Sequence, residues 1–469
     1  MQKYVLLLRN PRKTGTESKR PTRNNNEFLP VWWHAAVPFA LLMLLAASAD
    51  AETHSLTLRE ALDIASRQNS DIALAHLDEQ RTEQGIKIAR DPFRPKVYGG
   101  SGLAYTYGYP NSIDGNAPSL FEIKTDMALY NRPDTFLLAQ AKENARGANL
   151  GAQAKTDEVA YQTASLFLDA RQAENIAETV FAEIPDLRKV VEVTSSQVSG
   201  GVELPVELKQ ANVNLESAQY RVDTARMDAD YLEMMLAVTL GFPVTDRVHP
   251  IESQLPGVPK LGSEEDATRI ALANNKEYSQ MRSNVLAKEL ELHSYRSQRL
   301  PQVNLVAQYA LFAKYNYEQY FQKFQANNLQ IGASITIPFL VGSSFSGRAD
   351  QAATDMQKIR IQMEQVRNRV TTDTRHAYQE WQRAQEFLHF AHTQLDLARE
   401  RLTILLAQNA EGKVTMAALE QARVTESDQW IALFQAQNTE MRAQLAILRQ
   451  MGTLMAAVRS GPAEESARP

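Results

Sequence analysis

The chain has 469 residues, of which 44% are hydrophobic and 22% are charged, so it is neither a disordered chain nor a helical membrane protein with many spans. A net charge of −5, with no basic stripe interleaved with aromatic residues, argues against nucleic acid as a partner. The absence of cysteine excludes disulfides, thiolate metal sites, cysteine nucleophiles and the acceptor of a bacterial lipid anchor.

The first element in chain order is an export signal. Several basic residues precede an apolar run from Val31 to Ala47, and the small-x-small sequence Ala49-Asp50-Ala51 follows it. This order is typical of a signal peptide cleaved after Ala51, so residues 1–51 are predicted to be a signal peptide. A single membrane anchor is the alternative interpretation, but the run contains a histidine and a proline and is shorter than the ~20 residues that a span needs.

The rest of the chain contains one unit twice. With an offset of 206, Arg59–Thr106 lies over Glu265–Phe312 without a gap, and a second register with an offset of 211 relates Gly201 to Gly412. Such a repeat indicates a pseudo-symmetric structure. We predict a first structural repeat over residues 52–241, a linker across the equatorial region over 242–262, a second repeat over 263–455 and a disordered tail over 456–469.

Each repeat begins with short helices and continues with two predicted strands. Apolar and polar residues alternate with a period of two in four segments: Val97–Tyr107, Leu120–Tyr130, Val303–Ala313 and Leu329–Phe339. Each segment has about the ~9–11 residues of a tilted strand that crosses a bilayer. The alternation therefore predicts membrane-length strands.

A very long helix follows each strand pair. From Asp134 to about Ser199, and from Arg348 to about Ala410, proline is nearly absent and alanine, glutamine and charged residues dominate. About 65 helical residues make a rod of roughly 100 Å. Apolar residues recur in the second rod at spacings of three and four, and many of them are alanine, which permits close packing but buries little area. Such rods need neighbours on both flanks, and each turns back through a glycine-containing tip into a further helix.

These parts together predict a conduit built from several copies. Four strands cannot close a barrel within one chain, and hydrocarbon does not tolerate an open edge. Three copies would supply twelve strands and also neighbours for the rods. The predicted fold class is mainly α with a membrane β-barrel contribution, in which a duplicated helix–strand–strand–long helix–helix unit forms a trimeric 12-stranded β-barrel and an α-helical periplasmic barrel.

The residues that carry this plan resemble those of TolC-like outer-membrane efflux proteins. The opening Leu56–Leu62 with Asn69 after it, the paired tips Gly201–Ala211 and Gly412–Ala422, and the duplication carry the resemblance over nearly the whole mature chain. The resemblance implies a homotrimer in outer-membrane lipid that extends into the periplasm. It also implies docking onto a periplasmic adaptor protein and an inner-membrane transporter of the RND, ABC or MFS type, in an efflux pump or type I secretion system.

The resemblance implies a gate at the two tips. In the family, acidic residues after the second tip turn ring the periplasmic entrance, and their positions here are Ala418 and Gln421. Glu420 lies one residue away, and Glu207 occupies the corresponding place in the first repeat. A polar or apolar constriction is therefore an equal alternative to an acidic ring. We predict that the periplasmic gate and adaptor contact contain Gly201, Glu207, Gly412, Lys413, Thr415, Leu419, Glu420 and Gln421.

No motif in the sequence indicates catalysis. GxSxG, HExxH and the P-loop lysine are all missing. Glu386-x-x-His389 with His392, and the pair Glu289 and His293, are better explained as solvated helix faces than as metal ligands. We therefore expect no enzyme activity, no cofactor and no catalytic or metal site. The alternatives to a channel are a periplasmic adaptor (membrane fusion) protein, which would usually show one helical hairpin, and a structural coiled-coil protein, which would have no use for alternating strands.

Overall fold

A computed structural model describes residues 52–102, 119–251, 263–312, 326–339 and 342–460 of the chain. The predicted signal peptide and the end of the predicted strand Val97–Tyr107 lie outside the described residues, as does most of the predicted linker. Among the described helices, none combines the length and the apolarity that crossing a membrane requires.

In the described residues, the first repeat contains four α-helices and three strands, and two of the strands pair with each other in antiparallel fashion. Its elements are β1 (Thr53–Leu56), α1 (Leu58–Gln68), α2 (Ser70–Arg90), β2 (Lys96–Gly102), β3 (Ser119–Tyr130), α3 (Arg132–Ser199) and α4 (Pro205–Leu240). The chain then crosses to the second repeat through β4 (Arg247–Pro250), which pairs in parallel with β1. This strand lies within the segment that the sequence predicts to be a linker.

The second repeat follows the same order. Its elements are α5 (Glu264–Asn274), α6 (Lys276–Arg296), β5 (Gln302–Phe312), β6 (Asn327–Thr336), α7 (Ser343–Ala410), α8 (Met416–Gln450) and α9 (Leu454–Ser460). The rods α3 and α7 each contain 68 residues and are related by the offset of 211, while α1 and α2 map onto α5 and α6 with the offset of 206. The sequence predicts a disordered tail from residue 456, but helix α9 extends to Ser460. The helix is held by its apolar residues Leu454 and Val458, which are buried.

The same side chains begin equivalent helices in the two repeats. The Oδ1 atom of Asn69 accepts hydrogen bonds from the backbone N–H groups of Asp71 and Ile72 at the start of α2. Asn275, 206 residues later, accepts from the N–H of Tyr278 at the start of α6. Because the first N–H groups of a helix lack partners within the helix, these asparagines define where both helices start.

The four strands β2, β3, β5 and β6 form one antiparallel sheet in that order. Directly paired residues share a face of a sheet, so the register assigns each row to one side. One face carries apolar rows: Ile123–Tyr309–Leu329 and Met127–Leu305–Ala333. The other carries polar rows: Lys124–Gln308–Gln330 and Ala128–Asn304–Ser334. The predicted alternation is confirmed in β3, β5 and β6, whereas most of the residues that define it in Val97–Tyr107 lie outside the described residues.

The long helices form a layer in which α3 is central and α7 lies at an edge. In the half nearer the sheet the packing order is α2, α3, α6, α7, and in the half nearer the tips it is α4, α3, α8, α7. Helix α3 accordingly has a helix on both flanks along its length. Many of its contacts are made by alanines such as Ala160, Ala164 and Ala170, which allow the close approach expected from the sequence.

The main hydrophobic core lies near the middle of the rods, where the short helices α1 and α9 and the ends of α4 and α8 meet α3. It contains Leu58, Leu62, Phe167, Leu236, Leu240, Leu445, Leu448, Met451 and Leu454. Both α4 and α8 end at this core in a glycine with positive φ, +92° at Gly241 and +65° at Gly452. The equatorial region is therefore the part of the molecule in which the two repeats are packed most firmly.

Replacing Gly241 by alanine should destabilise the protein far more than replacing Gly201 by alanine. Both glycines have positive φ, a conformation that costs an L-residue about 1–2 kcal/mol. A Cβ at Gly241 would also lie 2.8 Å from the backbone oxygen of Gln68, whereas one at Gly201 would meet nothing within 4 Å. This overpacking adds about 1–3 kcal/mol at Gly241. Thermal unfolding followed by circular dichroism measures both variants, and equal losses would contradict the steric explanation.

Candidate functional site at the helical tips

The two tip turns have the same backbone geometry. Gly201 and Gly412 both have φ of +73°. After each glycine, a backbone N–H reaches back across the helix end, from Val202 to the oxygen of Gln197 and from Lys413 to the oxygen of Gln408, both at 2.9 Å. These hydrogen bonds give a partner to backbone carbonyls of the last helical turn that have none within the helix. The motif contains a residue with positive φ, which favours glycine at this position. The glycines predicted as tip residues therefore shape the turns.

The first tip is apolar and exposed. Val202 is 78% exposed, and Leu204 and Val206 beside it are also largely exposed. Pro205 begins α4, and Glu207 lies half-buried in its first turn, where a carboxylate is favoured by the helix dipole. Apolar side chains grouped at a surface turn are typical of a contact for another protein.

The second tip is polar. Lys413 and Glu411 form an ion pair across the turn, and the Thr415 hydroxyl accepts a hydrogen bond from the N–H of Ala418 at 3.3 Å to begin α8. Lys413, Thr415 and Gln421 are exposed. The two tips thus have the same backbone conformation, but the first exposes apolar side chains and the second exposes polar ones.

Leu419 and Glu420 are the two predicted site residues that are buried. Glu420 is only 5% exposed, and its Oε1 lies 3.7 Å from Nε of Arg423. Burial raises the pKa of the Glu420 carboxyl above its ordinary value, and the Arg423 guanidinium opposes part of that rise. Within one chain, Glu420 therefore belongs to the packing of α8 and does not project into solvent as a ring-forming carboxylate would.

Three ion pairs join the hairpin of α3 and α4 to α8 of the other hairpin, within the described part of the chain. Arg423 pairs with Asp186, Arg221 Nη1 lies 2.7 Å from Asp428 Oδ1, and Arg442 Nη1 lies 3.0 Å from Asp169 Oδ2. They begin near the tip and extend toward the equatorial core. The sequence analysis missed them because each pair is brought together by the packing of helices that are more than 200 residues apart.

Sequence reasoning also missed a cluster of potential ligands in the equatorial region. Glu174 of α3, Glu233 of α4 and His249 of β4 offer one ligand atom each, all within 4.8 Å of one another. Neither Glu386 with His389 and His392 nor Glu289 with His293 forms such a group among the described residues. No local spacing relates the three members of the cluster, so a motif search could not have found it.

Within one chain, one side of the first repeat contacts the second repeat. The equivalent side of the second repeat lies at the edge of the chain. Strand β3 of the first repeat pairs with β5 of the second, and α3 packs on α6 and α8. The corresponding surfaces of the second repeat belong to β6 and α7, and they have no such partner within the described residues. The matching free elements of the first repeat are β2, α2 and α4.

Comparison with known proteins shows which proteins the chain is similar to. The sequence profile of the family described as "Outer membrane efflux protein" matches residues 268–457. Over 412 residues the chain is 21% identical to outer membrane efflux protein BepC of Brucella suis biovar 1 (strain 1330), a match that covers 86% of each protein. The chain is similar to outer membrane efflux proteins, through the family profile over residues 268–457 and through BepC over most of its length. The resemblance to TolC-like proteins that the sequence predicts is confirmed.

Solved structures of outer membrane proteins show a similar fold. The structure is similar to the outer membrane channel CmeC of Campylobacter jejuni, with a TM-score of 0.69 and 13% identity over 85% of this chain and 86% of that one. It is equally similar to the outer membrane protein VceC of Vibrio cholerae, with a TM-score of 0.69 and 14% identity over 84% and 96% of the two chains. The alternatives of an adaptor and of a structural coiled-coil protein are not favoured.

Proposed function

We propose that the protein is the outer-membrane channel of a tripartite efflux pump or type I secretion system. Three copies form a passive duct from the periplasm to the cell exterior. A periplasmic adaptor connects the duct to an inner-membrane transporter, which supplies the energy. The observation that carries this proposal is the set of open edges that one chain leaves on both its sheet and its helical layer.

The open edges are arranged for a head-to-tail ring. Because the two repeats are equivalent, the way in which the first repeat contacts the second predicts how the second contacts the first repeat of the next copy. Strand β6 then pairs with β2 of that copy, and α7 packs on its α2 and α4. Three copies joined in this way give a sheet of twelve strands without a free edge.

Helix α4 carries a second apolar stripe that suits such a neighbour. The stripe, called here the α4 outer stripe, consists of the exposed residues Val213, Tyr220, Met227, Tyr231 and Val238. Each lies two residues beyond a buried residue that faces the interior, and these buried residues are Ala211, Ala218, Ala225, Ala229 and Leu236. Two residues of an α-helix turn through about 200°, so the stripe lies on a different side of α4 from these buried residues, and Tyr220 and Tyr231 border a groove with α3 and α8. An isolated chain would leave this apolar surface in water.

The sheet is suited to separate hydrocarbon from an aqueous interior. Its apolar face carries exposed Leu329, Ile331 and Ile335, and its polar face carries residues such as Lys124 and Gln308. In a closed ring of strands the apolar face contacts lipid and the polar face lines the path of the cargo. The Gln308 Nε2 atom donates a hydrogen bond of 2.7 Å to Glu122 Oε1 on that polar face.

The tips are the proposed gate and adaptor contact. The exposed apolar residues Val202, Leu204 and Val206 of the first tip would bind an apolar surface of the adaptor. The polar second tip, with Gly412, Lys413, Thr415 and Gln421, would narrow the entrance. Leu419 and Glu420 hold α8 in place behind it, and Glu207 contributes a carboxylate to the entrance from the first repeat.

Charge substitutions on the two faces of β6 test the proposal. The mature protein should form discrete conductance steps in planar lipid bilayers. Ile331→Arg should strongly reduce insertion, because a charge on the lipid face costs about 2–4 kcal/mol at the centre of the bilayer. Gln330→Arg, one residue away on the polar face, should insert normally and change ion selectivity.

Both variants should be compared with the unchanged protein at equal amounts in the same detergent. Equal insertion of the two variants would show that the two faces of β6 do not distinguish lipid from water. A mature protein that remains a water-soluble monomer and produces no conductance would refute the channel itself.

A further inference from the structure

Two carboxylates and one imidazole converge in the equatorial region at the junction of three elements. Nδ1 of His249 on β4 lies 2.7 Å from Oε1 of Glu174 on α3 and 3.0 Å from Oε1 of Glu233 on α4. The two carboxylates are mostly buried, whereas the imidazole is 44% exposed. The cluster is thus closed on the side of the helices and open to solvent on the side of the strand.

The packing of the two helices in a repeat does not require glutamate at these two positions. With the offset of 211 that relates α3 to α7 and α4 to α8, Glu174 corresponds to Gln385 and Glu233 corresponds to Gln444. The second hairpin packs in the same way with two neutral amides at these positions. Carboxylates therefore occur only in the repeat in which a histidine lies beside them.

The three groups do not satisfy one another without a further positive charge. A neutral imidazole carries one proton, so Nδ1 can donate to only one of the two carboxylates that face it. Burial, together with a hydrogen bond from the protonated Glu174 carboxyl to Glu233, raises the pKa of Glu174 to about 7, although His249 acts against this rise. Two arginines lie near the cluster. Arg171 Nη1 lies 3.9 Å from Glu174 and also donates to the backbone oxygen of Pro250. Arg247 interacts with Glu233 but forms its ion pair with Asp230.

We propose that Glu174, Glu233 and His249 bind a divalent transition-metal cation of the Zn²⁺ class and thereby tie α3, α4 and β4 together. Two carboxylate oxygens and one imidazole nitrogen are borderline ligands that suit Zn²⁺ better than Mg²⁺ or Ca²⁺. Ligands about 2.1 Å from a tetrahedral zinc lie about 3.4 Å apart, so Nδ1 needs to separate from the two carboxylate oxygens by less than about 1 Å. Water would occupy the remaining position on the open side of His249.

Titration of the purified protein with ZnCl₂ tests the site. The mature, full-length protein should be prepared in detergent without a polyhistidine tag, stripped with a chelator, and titrated by calorimetry at pH 8. We expect one Zn²⁺ bound per chain and an increase in the thermal unfolding temperature. His249→Ala should weaken binding at least tenfold and abolish the thermal shift, and Glu174→Gln and Glu233→Gln should each weaken binding.

A matched control removes a histidine outside the cluster. His293 is 46% exposed and faces a single carboxylate, that of Glu289 at 4.0 Å, so His293→Ala should bind Zn²⁺ like the unchanged protein. The proposal is refuted if the unchanged protein binds no Zn²⁺ or if His249→Ala binds it equally well. Neither result depends on whether the protein forms a channel.

Discussion

Replacing Tyr220 and Met227 together by aspartate should abolish the trimer while leaving the single chain folded. Tyr220 is 72% exposed and Met227 is 69% exposed in one chain, on the α4 outer stripe. In the proposed ring they become buried against α7 of the preceding copy, where an unpaired charge is strongly unfavourable. Migration of the unheated protein in denaturing gels should change from a trimer to a monomer, and the helical circular dichroism signal should persist.

The conservative variant Tyr220→Phe with Met227→Leu is the matched control for this experiment. It keeps the apolar area of the stripe and introduces no charge, so the trimer should remain. If the aspartate variant also remains a trimer, the α4 outer stripe is not an interface between copies.

The absence of native cysteine allows the direction of the ring to be tested with engineered cysteines. Within one chain, Asn438 on α8 donates a hydrogen bond of 2.9 Å to Asp169 on α3. With the offset of 211, the equivalent pair between copies is Met227 on α4 and Glu380 on α7. Met227→Cys combined with Glu380→Cys should give cross-linked dimers and trimers on oxidation. Neither single variant should cross-link, and dimers of Met227→Cys alone would indicate a symmetric interface and contradict head-to-tail closure.

Replacing Asp169, Asp186 and Asp428 together by asparagine should open the channel. These residues form the ion pairs that hold α8 of the second hairpin against the first. Each pair is partly exposed and contributes about 0–1 kcal/mol, so the three together contribute roughly 1–2 kcal/mol. A free energy of this size shifts the ratio of open to closed channels by about 5- to 30-fold. The increase should appear as more frequent and larger conductance steps in planar bilayers.

A control for this experiment removes an aspartate whose ion pair lies within one helix. Asp266 pairs with Arg269 three residues later in α5, so Asp266→Asn should leave the conductance unchanged. The single variant Asp186→Asn should have a small effect. An unchanged conductance in the triple variant would show that the apolar contacts between the hairpins, and not the ion pairs, keep the entrance closed.

Periodicity explains why so much of the architecture could be predicted. Alternation in β6 assigns Leu329, Ile331 and Ile335 to one face, and the register with β5 confirms that assignment. The glycines of the tips could be placed because a helix end with positive φ strongly favours that residue, as Gly201 and Gly412 show. Both features depend on residues close to one another in the chain.

The roles of individual polar residues could not be predicted in this way. Counting residues from the tip glycine places Glu420 next to the positions where acidic side chains are expected to ring the periplasmic entrance. In the structure, however, Glu420 is buried next to Arg423. A shift of one residue turns a helical position through about 100°, which is enough to move a side chain from solvent into a helix interface. Which face of α8 meets α3 depends on the packing of the two hairpins.

The sequence by itself determined the duplicated unit, the membrane-length alternating strands, the two long rods and the glycine-containing tips, because each is encoded by local periodicity or by a repeated spacing. Only the tertiary structure decided which elements lie at the edges, which ion pairs join the hairpins, and that Glu174, Glu233 and His249 meet. The physical reason is that these features are contacts between elements distant in the chain. Their geometry depends on how whole helices and strands pack and not on any local pattern.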